Sequence, residues 1–207
     1  MPIRQATCAA LGIALLVATA GCAQHAEGHV VVVGSDDPSA PTFTGPWADA
    51  FAQAYRTAGT TEQRQMLSDG IVSELEYSQV RDGFAACLAD VGYTVTWADD
   101  GGYTLDVGSA EVDDAHVQDL VGACDTEHLG DIDYLYEQTT RNPQHLDEAE
   151  IMAACLVRSD VVPPSFTTDD YAAWFEADDG ALPYTVSAAA GQVAFDACNA
   201  DPLGLFG

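Results

Sequence analysis

Lysine is absent from this sequence of 207 residues, whose six arginines face 33 aspartates and glutamates for a formal net charge of −27 at pH 7. A surface of this charge repels the phosphates of nucleic acids and attracts cations and basic proteins. The composition therefore excludes nucleic-acid binding. Dispersed carboxylates that only keep an exported protein soluble explain it best, and the alternative is a partner selected by charge, a basic protein or a cationic ligand.

The chain also lacks the sequence patterns by which common enzyme classes are recognised. It has no glycine-rich phosphate loop and no Gly-x-Ser-x-Gly turn, and its five histidines do not have metalloprotease spacing. Pairs of the form Cys-x-x-Cys are absent, which argues against disulfide exchange and against a zinc ion held by four thiolates. We therefore expect no catalytic residues and no cofactor, and a protein that is not an enzyme.

Long hydrophobic runs are missing too, apart from one short apolar stretch near the N-terminus. Arg4 precedes apolar residues from about Ala6 to Ala18, which is the pattern of a secretory signal. The stretch is shorter than the roughly 20 residues that a membrane-spanning helix needs. We therefore expect export without a retained transmembrane anchor.

The next four residues, Thr19-Ala20-Gly21-Cys22, resemble the lipobox at which bacterial lipoproteins are lipidated and cleaved. The resemblance implies removal of residues 1–21 and a diacylglycerol thioether on Cys22. Two acyl chains hold a protein stably on a bilayer, whereas one chain does not. The expected location is the outer face of the cytoplasmic membrane, and the alternative is ordinary signal-peptidase cleavage without a lipid.

Besides the lipidated Cys22, four cysteines remain after the expected cleavage, and an even number of free thiols outside the cytoplasm indicates two disulfides. Four cysteines allow three pairings, and an internal repeat chooses among them. Ala-Ala-Cys-Leu occurs around Cys87 and around Cys155, and Ala-Cys occurs at Cys124 and at Cys198. Because equivalent modules should fold alike, we predict the bridges Cys87–Cys124 and Cys155–Cys198.

Hydrophobic periodicity predicts an α+β, predominantly helical fold of two disulfide-closed modules, the first of which contains a β-hairpin. Helices are predicted to begin near 46, 62, 73, 113, 147, 167 and 187, with the hairpin over 93–107 and a short strand at 184–186. The chain then divides into a signal peptide (1–21), a flexible tether (22–45), an N-terminal helix with module one (46–130) and module two (131–207). The valines at 30–33 are either an edge strand or an apolar part of the tether.

The segment from Asp69 to Tyr77 is similar to the second half of an EF-hand calcium loop. Gln65 and Leu67 stand where the first two ligands should be, and a leucine cannot ligate calcium. The same segment also has the pattern of a capping box, with Ser73 before the helix and Glu76 three residues later. We predict the helix cap, and no calcium site tighter than about 10⁻⁴ M.

A family resemblance covers roughly residues 60–130. The residues that carry it are Asp69-Gly70, Glu76-Tyr77, Cys87-Leu88 and Gly92. Their order resembles a segment of uncharacterised actinobacterial exported lipoproteins. The shared pattern is a DG-I-x-[ST]-x-x-E-Y helix, a C-[ML]-x-x-x-G turn and a later Ala-Cys pair. The resemblance implies an exported protein of actinobacterial lineage, and it assigns no catalytic residues.

Asp113 and His116 are the best candidates for metal ligands, because their spacing could place them on one helix face. Acids are favoured in the first turn of a helix by its dipole without any metal, so we predict no metal site here. We expect a membrane-anchored lipoprotein that acts as a binding or interaction module. The alternative is a weak divalent-cation-binding or hydrolytic extracytoplasmic domain that uses acidic turns.

Overall fold

A computed structural model describes residues 30–32, 41–98, 101–108, 113–177 and 180–206. The fold is predominantly helical with two small antiparallel sheets, so the expected fold class is confirmed. Both expected disulfides are present, Cys87–Cys124 and Cys155–Cys198. The lipobox and Cys22 lie outside the described residues.

The chain enters the fold before the first predicted helix, and residues 30–32 form the edge strand that the sequence left open as an alternative. Strand β1 (Val30–Val32) pairs antiparallel with β2 (Thr42–Thr44), and the Phe43 side chain lies in the hydrophobic core with an exposure of 2%. The interpretation of 22–45 as a flexible tether therefore fails for its C-terminal end. Burial of a large aromatic side chain outweighs the polar, proline-rich composition around it.

Two helices follow and complete the N-terminal part of the first core. Helix α1 (Ala48–Thr57) buries Phe51, and α2 (Thr61–Leu67) begins at a capping box formed by Thr60 and Gln63. Both helices were predicted, because their apolar residues recur with helical spacing.

Helix α3 (Glu74–Asp90) confirms the predicted cap. The Ser73 hydroxyl accepts a hydrogen bond from the Glu76 N–H, and the Glu76 carboxylate accepts one from the Ser73 N–H at 2.8 Å. The Asp69 carboxylate accepts a hydrogen bond from the Ile71 N–H at 3.0 Å, which closes the turn before the helix. The EF-hand-like residues therefore form a turn and a cap.

The hairpin and the first disulfide complete the predicted part of module one. Strand β3 (Thr94–Trp97) pairs with β4 (Tyr103–Asp106), with Val95 opposite Leu105. Helix α4 (Asp114–Cys124) then carries Cys124 back to α3.

Two elements that the sequence did not predict follow directly. A π-helix spans Asp125–Leu129, and α5 spans Ile132–Arg141. Ile132 and Leu135 are buried in the first core together with Phe84. Because α5 packs there, the first core continues beyond the predicted boundary at residue 130.

Module two has its own core around the second disulfide. It consists of α6 (Glu148–Arg158), α7 (Thr168–Ala177) and α8 (Ala188–Ala200). The strand predicted at 184–186 does not form. The Thr185 N–H donates to the Val161 carbonyl at 2.9 Å, and no strand lies beside the segment within the described part of the chain.

Candidate functional site

A cleft of about 640 Å³ opens where the first module meets the second. Its lining comes from the start of α1, from α5, from the loop 142–147 and from the facing ends of α6 and α8. Clefts between packed units are common binding sites, because two surfaces can supply contacts to one ligand.

Arg141, the last residue of α5, ties the two modules together beneath this cleft. Its guanidinium donates two hydrogen bonds of 2.8 Å to the Glu148 carboxylate and one of 2.6 Å to the Asn199 carbonyl. Only 8% of its side chain is exposed, whereas 48% of the Glu148 side chain is exposed. The bidentate pair is strong and geometrically defined, so it fixes α6 and α8 relative to α5.

One wall of the cleft is a stacked pair of rings. The centroids of the Trp47 indole and the His145 imidazole lie 3.9 Å apart, and the Trp47 Nε1–H donates to the Asn142 carbonyl at 2.9 Å. The Asn142 side chain accepts from the Leu146 N–H and donates to the Leu146 carbonyl, which closes the loop between them. His145 has a φ of 51°, a conformation that non-glycine residues adopt rarely. The Trp47–His145 wall is therefore fixed by ring stacking, by the hydrogen bond from Trp47 to Asn142, and by the closed loop 142–146.

The open side of the cleft presents apolar groups beside acidic ones. Tyr134 is 54% exposed and Leu146 is 43% exposed, and both line the cleft. The exposed residues Asp147 and Glu148 follow in the chain, and Asp147 caps α6 by accepting from the Glu150 N–H. Because Arg141 is already paired with Glu148, this edge of the cleft carries a net negative charge.

A smaller cavity of about 210 Å³ adjoins the cleft and shares Gln138, Arg141 and Asn199 with it. Its far side is formed by Tyr77 and Tyr136, whose rings stack with centroids 4.0 Å apart. The Tyr77 hydroxyl donates to the Glu137 carboxylate at 3.0 Å. The two cavities together form a polar groove with aromatic walls.

Arg81 connects this aromatic pair to the hairpin. Its guanidinium lies 3.7 Å from the centroid of the Trp97 ring and 4.7 Å from that of Tyr77, and it also donates a hydrogen bond to the Tyr77 hydroxyl. Such cation–π contacts stabilise partly buried sites by about 1 kcal/mol. The hairpin is therefore anchored on α3 through Arg81.

Asp133 is the most strongly perturbed acid of the described residues. Burial, followed by repulsion from Glu137, raises the pKa of Asp133 to about 6, and Arg81 opposes the increase. Its Oδ1 is buried and has no hydrogen-bond partner among the described residues. Burial also raises the pKa of Asp125, with Asp131 adding repulsion. The region between α3, α5 and the hairpin is therefore short of positive charge.

Among the described residues, neither Asp113 nor His116, the candidates weighed as metal ligands, belongs to a cluster of three potential ligand atoms. Asp113 caps α4, accepting from the Ala115 N–H at 3.2 Å, and His116 is exposed on that helix. Within the described residues, a cluster of three potential ligand atoms occurs elsewhere, at Cys87, Glu127 and His128.

The cleft itself escaped sequence analysis, because α5 was not recognised. Its apolar residues Ile132, Leu135 and Tyr136 do recur with helical spacing, and Asn142 followed by proline is a typical helix stop. These signals could have located Arg141 at a helix end. The stacking of Trp47 on His145 joins residues 98 positions apart, which no local pattern shows.

Comparison with known proteins does not extend this picture, since no family model, curated protein or solved structure matches the chain. Within the ranges that the structure describes, no helix combines the length and apolar character needed to cross a bilayer.

Proposed function

We propose that this protein is an exported lipoprotein, anchored through an acylated Cys22, that binds a basic or cationic segment of a partner protein in the cleft between its two modules. The localisation rests on the resemblance of residues 19–22 to a lipobox. The anchor would hold the cleft on the outer face of the cytoplasmic membrane, where secreted and membrane-bound partners meet it.

The observation that carries the binding site is the exposure of Tyr134 and Leu146 at the rim of a rigid cleft. Exposed aromatic and aliphatic side chains that line a concave surface are typical of recognition sites. The Trp47–His145 stack and the Arg141–Glu148 pair hold the wall and floor in place before a ligand arrives. Such preorganisation lowers the entropy cost of binding.

Charge complementarity favours a basic partner over an acidic one. The chain carries a formal net charge of −27, and Asp147 at the cleft adds a carboxylate that Arg141, paired with Glu148, does not neutralise. Opposite charge on a partner accelerates its association and selects against acidic competitors. A segment with an arginine or lysine beside an apolar residue would match the carboxylates and the Tyr134 ring together.

Binding of labelled peptides by the full mature chain tests this proposal. We expect decapeptides selected from a random library to be enriched in arginine and lysine, and the double variant Tyr134→Ala, Leu146→Ser to bind them about tenfold more weakly, a change of roughly 1.4 kcal/mol. Phe175→Ala is the matched control, because Phe175 is 71% exposed on α7 and does not line the cleft. Equal binding by both variants, or selection of acidic peptides, would contradict the proposal.

The second candidate, a hydrolytic domain, is favoured by Asp133. A carboxyl with a pKa of about 6 could act as a general acid near neutral pH. Hydrolysis of ester or glycoside substrates that is abolished in Asp133→Asn, with peptide binding unchanged, would support this candidate instead.

A further inference from the structure

The first disulfide lies within a set of metal-ligating groups that the proposed function does not use. A ligand atom from each of Cys87, Glu127 and His128 lies within 4.8 Å of the other two. Cys124 is outside this group of three, but its sulfur is bonded to the Cys87 sulfur. One sulfur, one imidazole and one carboxylate therefore converge, and the sulfur of the buried Cys124 lies one bond away from them.

The π-helix positions the Glu127 carboxylate and the His128 imidazole. It begins directly after Cys124 and is closed by the hydrogen bond from the Gly130 N–H to the Asp125 carbonyl at 2.9 Å. π-Helices are rare and occur often at functional sites, since they turn side chains away from the α-helical spacing. Here the wider turn of the π-helix places Glu127 and His128 beside α3.

Gly83 makes room for the imidazole on α3. A Cβ at this position would lie 2.6 Å from the His128 Nδ1, which is closer than atoms can approach. Gly83 precedes Cys87 by four residues, so both lie on the same face of the helix. A glycine within a helix costs roughly 1 kcal/mol relative to alanine, and here it permits the contact between His128 and α3.

The two disulfides differ in their surroundings. In the first bridge Cys87 is partly exposed and Cys124 is buried with an exposure of 4%, whereas in the second both Cys155 and Cys198 are buried, with exposures of 5% and 1%. In the described part of the chain, no cluster of three ligand atoms includes Cys155 or Cys198. A soluble reductant therefore has access to the first bridge at Cys87, whereas both cysteines of the second bridge are buried.

We propose that reduction of Cys87–Cys124 creates a zinc site formed by Cys87, Cys124, His128 and Glu127. A dithiol reductant attacks the sulfur of the partly exposed Cys87 and releases the Cys124 thiolate. Its second thiol then displaces Cys87, so the reductant leaves as a disulfide and two cysteine thiols remain. A zinc ion binds both sulfurs and displaces their two protons. Thiolate and imidazole ligands favour zinc over calcium or magnesium, and four ligands complete its tetrahedral shell.

This site would make the first module respond to redox conditions. In the oxidised form the covalent bond joins α3 to α4, and in the reduced form the metal would join the same two helices and also hold the π-helix. Metal binding can replace a covalent link in this way, because its free energy adds to the stability of the folded state.

Zinc titration of the mature chain tests the proposal. The protein is treated with a phosphine reductant until mass spectrometry of alkylated peptides shows Cys87 and Cys124 free, and the reductant is then removed without oxygen. We expect the reduced chain to bind zinc tightly in competition with a chromophoric chelator and the oxidised chain to bind about 100-fold more weakly or not at all. Cobalt in place of zinc should give the absorption band of thiolate ligation.

Variants separate this site from adventitious binding. His128→Ala and Gly83→Ala should each weaken zinc binding by about tenfold or more, because one removes a ligand and the other displaces it. His116→Ala is the matched control, since His116 is exposed on α4 and lies outside the cluster, and it should bind zinc as the wild type does. Each of three results would overturn the proposal: the oxidised chain binds zinc as tightly as the reduced chain, His128→Ala binds zinc as tightly as the wild type, or cobalt gives no thiolate absorption band. So would a reduced chain that unfolds and does not recover its helical circular dichroism with zinc.

Discussion

The Arg141 guanidinium and the Glu148 carboxylate form a bidentate ion pair, with two N···O distances of 2.8 Å, across the junction of the two modules. The pair joins the C-terminal end of α5 to the first turn of α6, and Arg141 also bonds the Asn199 carbonyl of α8. Because each module has its own core and its own disulfide, this arginine controls how rigidly they are joined.

Arg141→Met should destabilise the protein by about 2 kcal/mol. Removing one partner of a buried ion pair costs roughly 3 to 5 kcal/mol, and the cost is smaller here because half of the Glu148 side chain is exposed to water. Urea unfolding at pH 7 measures the change. Arg56→Met is the matched control, since Arg56 is exposed and bonds only Gln53 in the described structure, and it should change stability by less than about 0.5 kcal/mol. Equal effects of the two changes would show that Arg141 does not join the modules.

Stability should fall as the pH rises from about 4 to about 6 because of Asp133. The folded-state pKa of about 6 lies above the ordinary value of 3.8, so the folded protein holds this proton more tightly than the unfolded chain. The stabilisation is complete below the unfolded pKa and is lost as the pH rises through the folded pKa. Its size should be about 1 to 2 kcal/mol, because solvent screens the partly exposed carboxyl.

Asp133→Asn isolates this contribution from those of other acids, such as Asp125, that titrate in the same range. The variant should lose the decline between pH 4 and pH 6 and should be more stable than the wild type at pH 7. Urea unfolding of the wild type and of Asp133→Asn between pH 4 and pH 7 measures the free energy of unfolding of each and tests this prediction. Parallel pH profiles of the two proteins would mean that Asp133 ionises normally.

Glu76→Ala should cost about 1 kcal/mol whether or not calcium is present, because Glu76 caps α3 by accepting from the Ser73 N–H. Thermal unfolding of both proteins in calcium and in chelator measures this. Glu74→Ala is the control, because Glu74 lies two residues earlier in the same first turn and makes no cap bond in the described structure. If micromolar calcium raised the melting temperature of the wild type and not of Glu76→Ala, the segment would be an ion site.

Cys22→Ser should release the protein from membranes or leave its signal uncleaved, because lipidation needs the Cys22 thiol. Metabolic labelling with a fatty acid, followed by membrane fractionation, tests this. The disulfide-bonded cysteines are not free to take the lipid, so label that persists in Cys22→Ser would contradict the lipobox interpretation.

The parts of the fold that sequence analysis predicted are those with local signals. The α3 cap follows from the spacing of Ser73 and Glu76, and the pairing of the cysteines follows from the repeat of Ala-Ala-Cys-Leu. The strand predicted at 184–186 failed because a strand needs a neighbour. Thr185 instead bonds a single loop carbonyl, that of Val161.

The candidate site depended on contacts that no local pattern contains. Trp47 meets His145 only after α5 has packed on the first core, and the loop between α5 and α6 has been closed by Asn142. The π-helix likewise has no recognisable sequence signal, although it sets the position of His128. These features arise from tertiary packing, which determines side-chain neighbours across long sequence separations.

Site-specific photo-crosslinking of the full chain in intact cells tests the binding cleft most directly. A benzoylphenylalanine in place of Tyr134, at the cleft, is compared with one in place of Phe175, which is exposed outside it. We predict that only the Tyr134 probe forms a discrete adduct, and that mass spectrometry maps it to a segment rich in arginine or lysine. Adducts that are the same from both positions, or an adduct at Tyr134 with an acidic segment, would contradict the assignment of this cleft as a site for a basic partner.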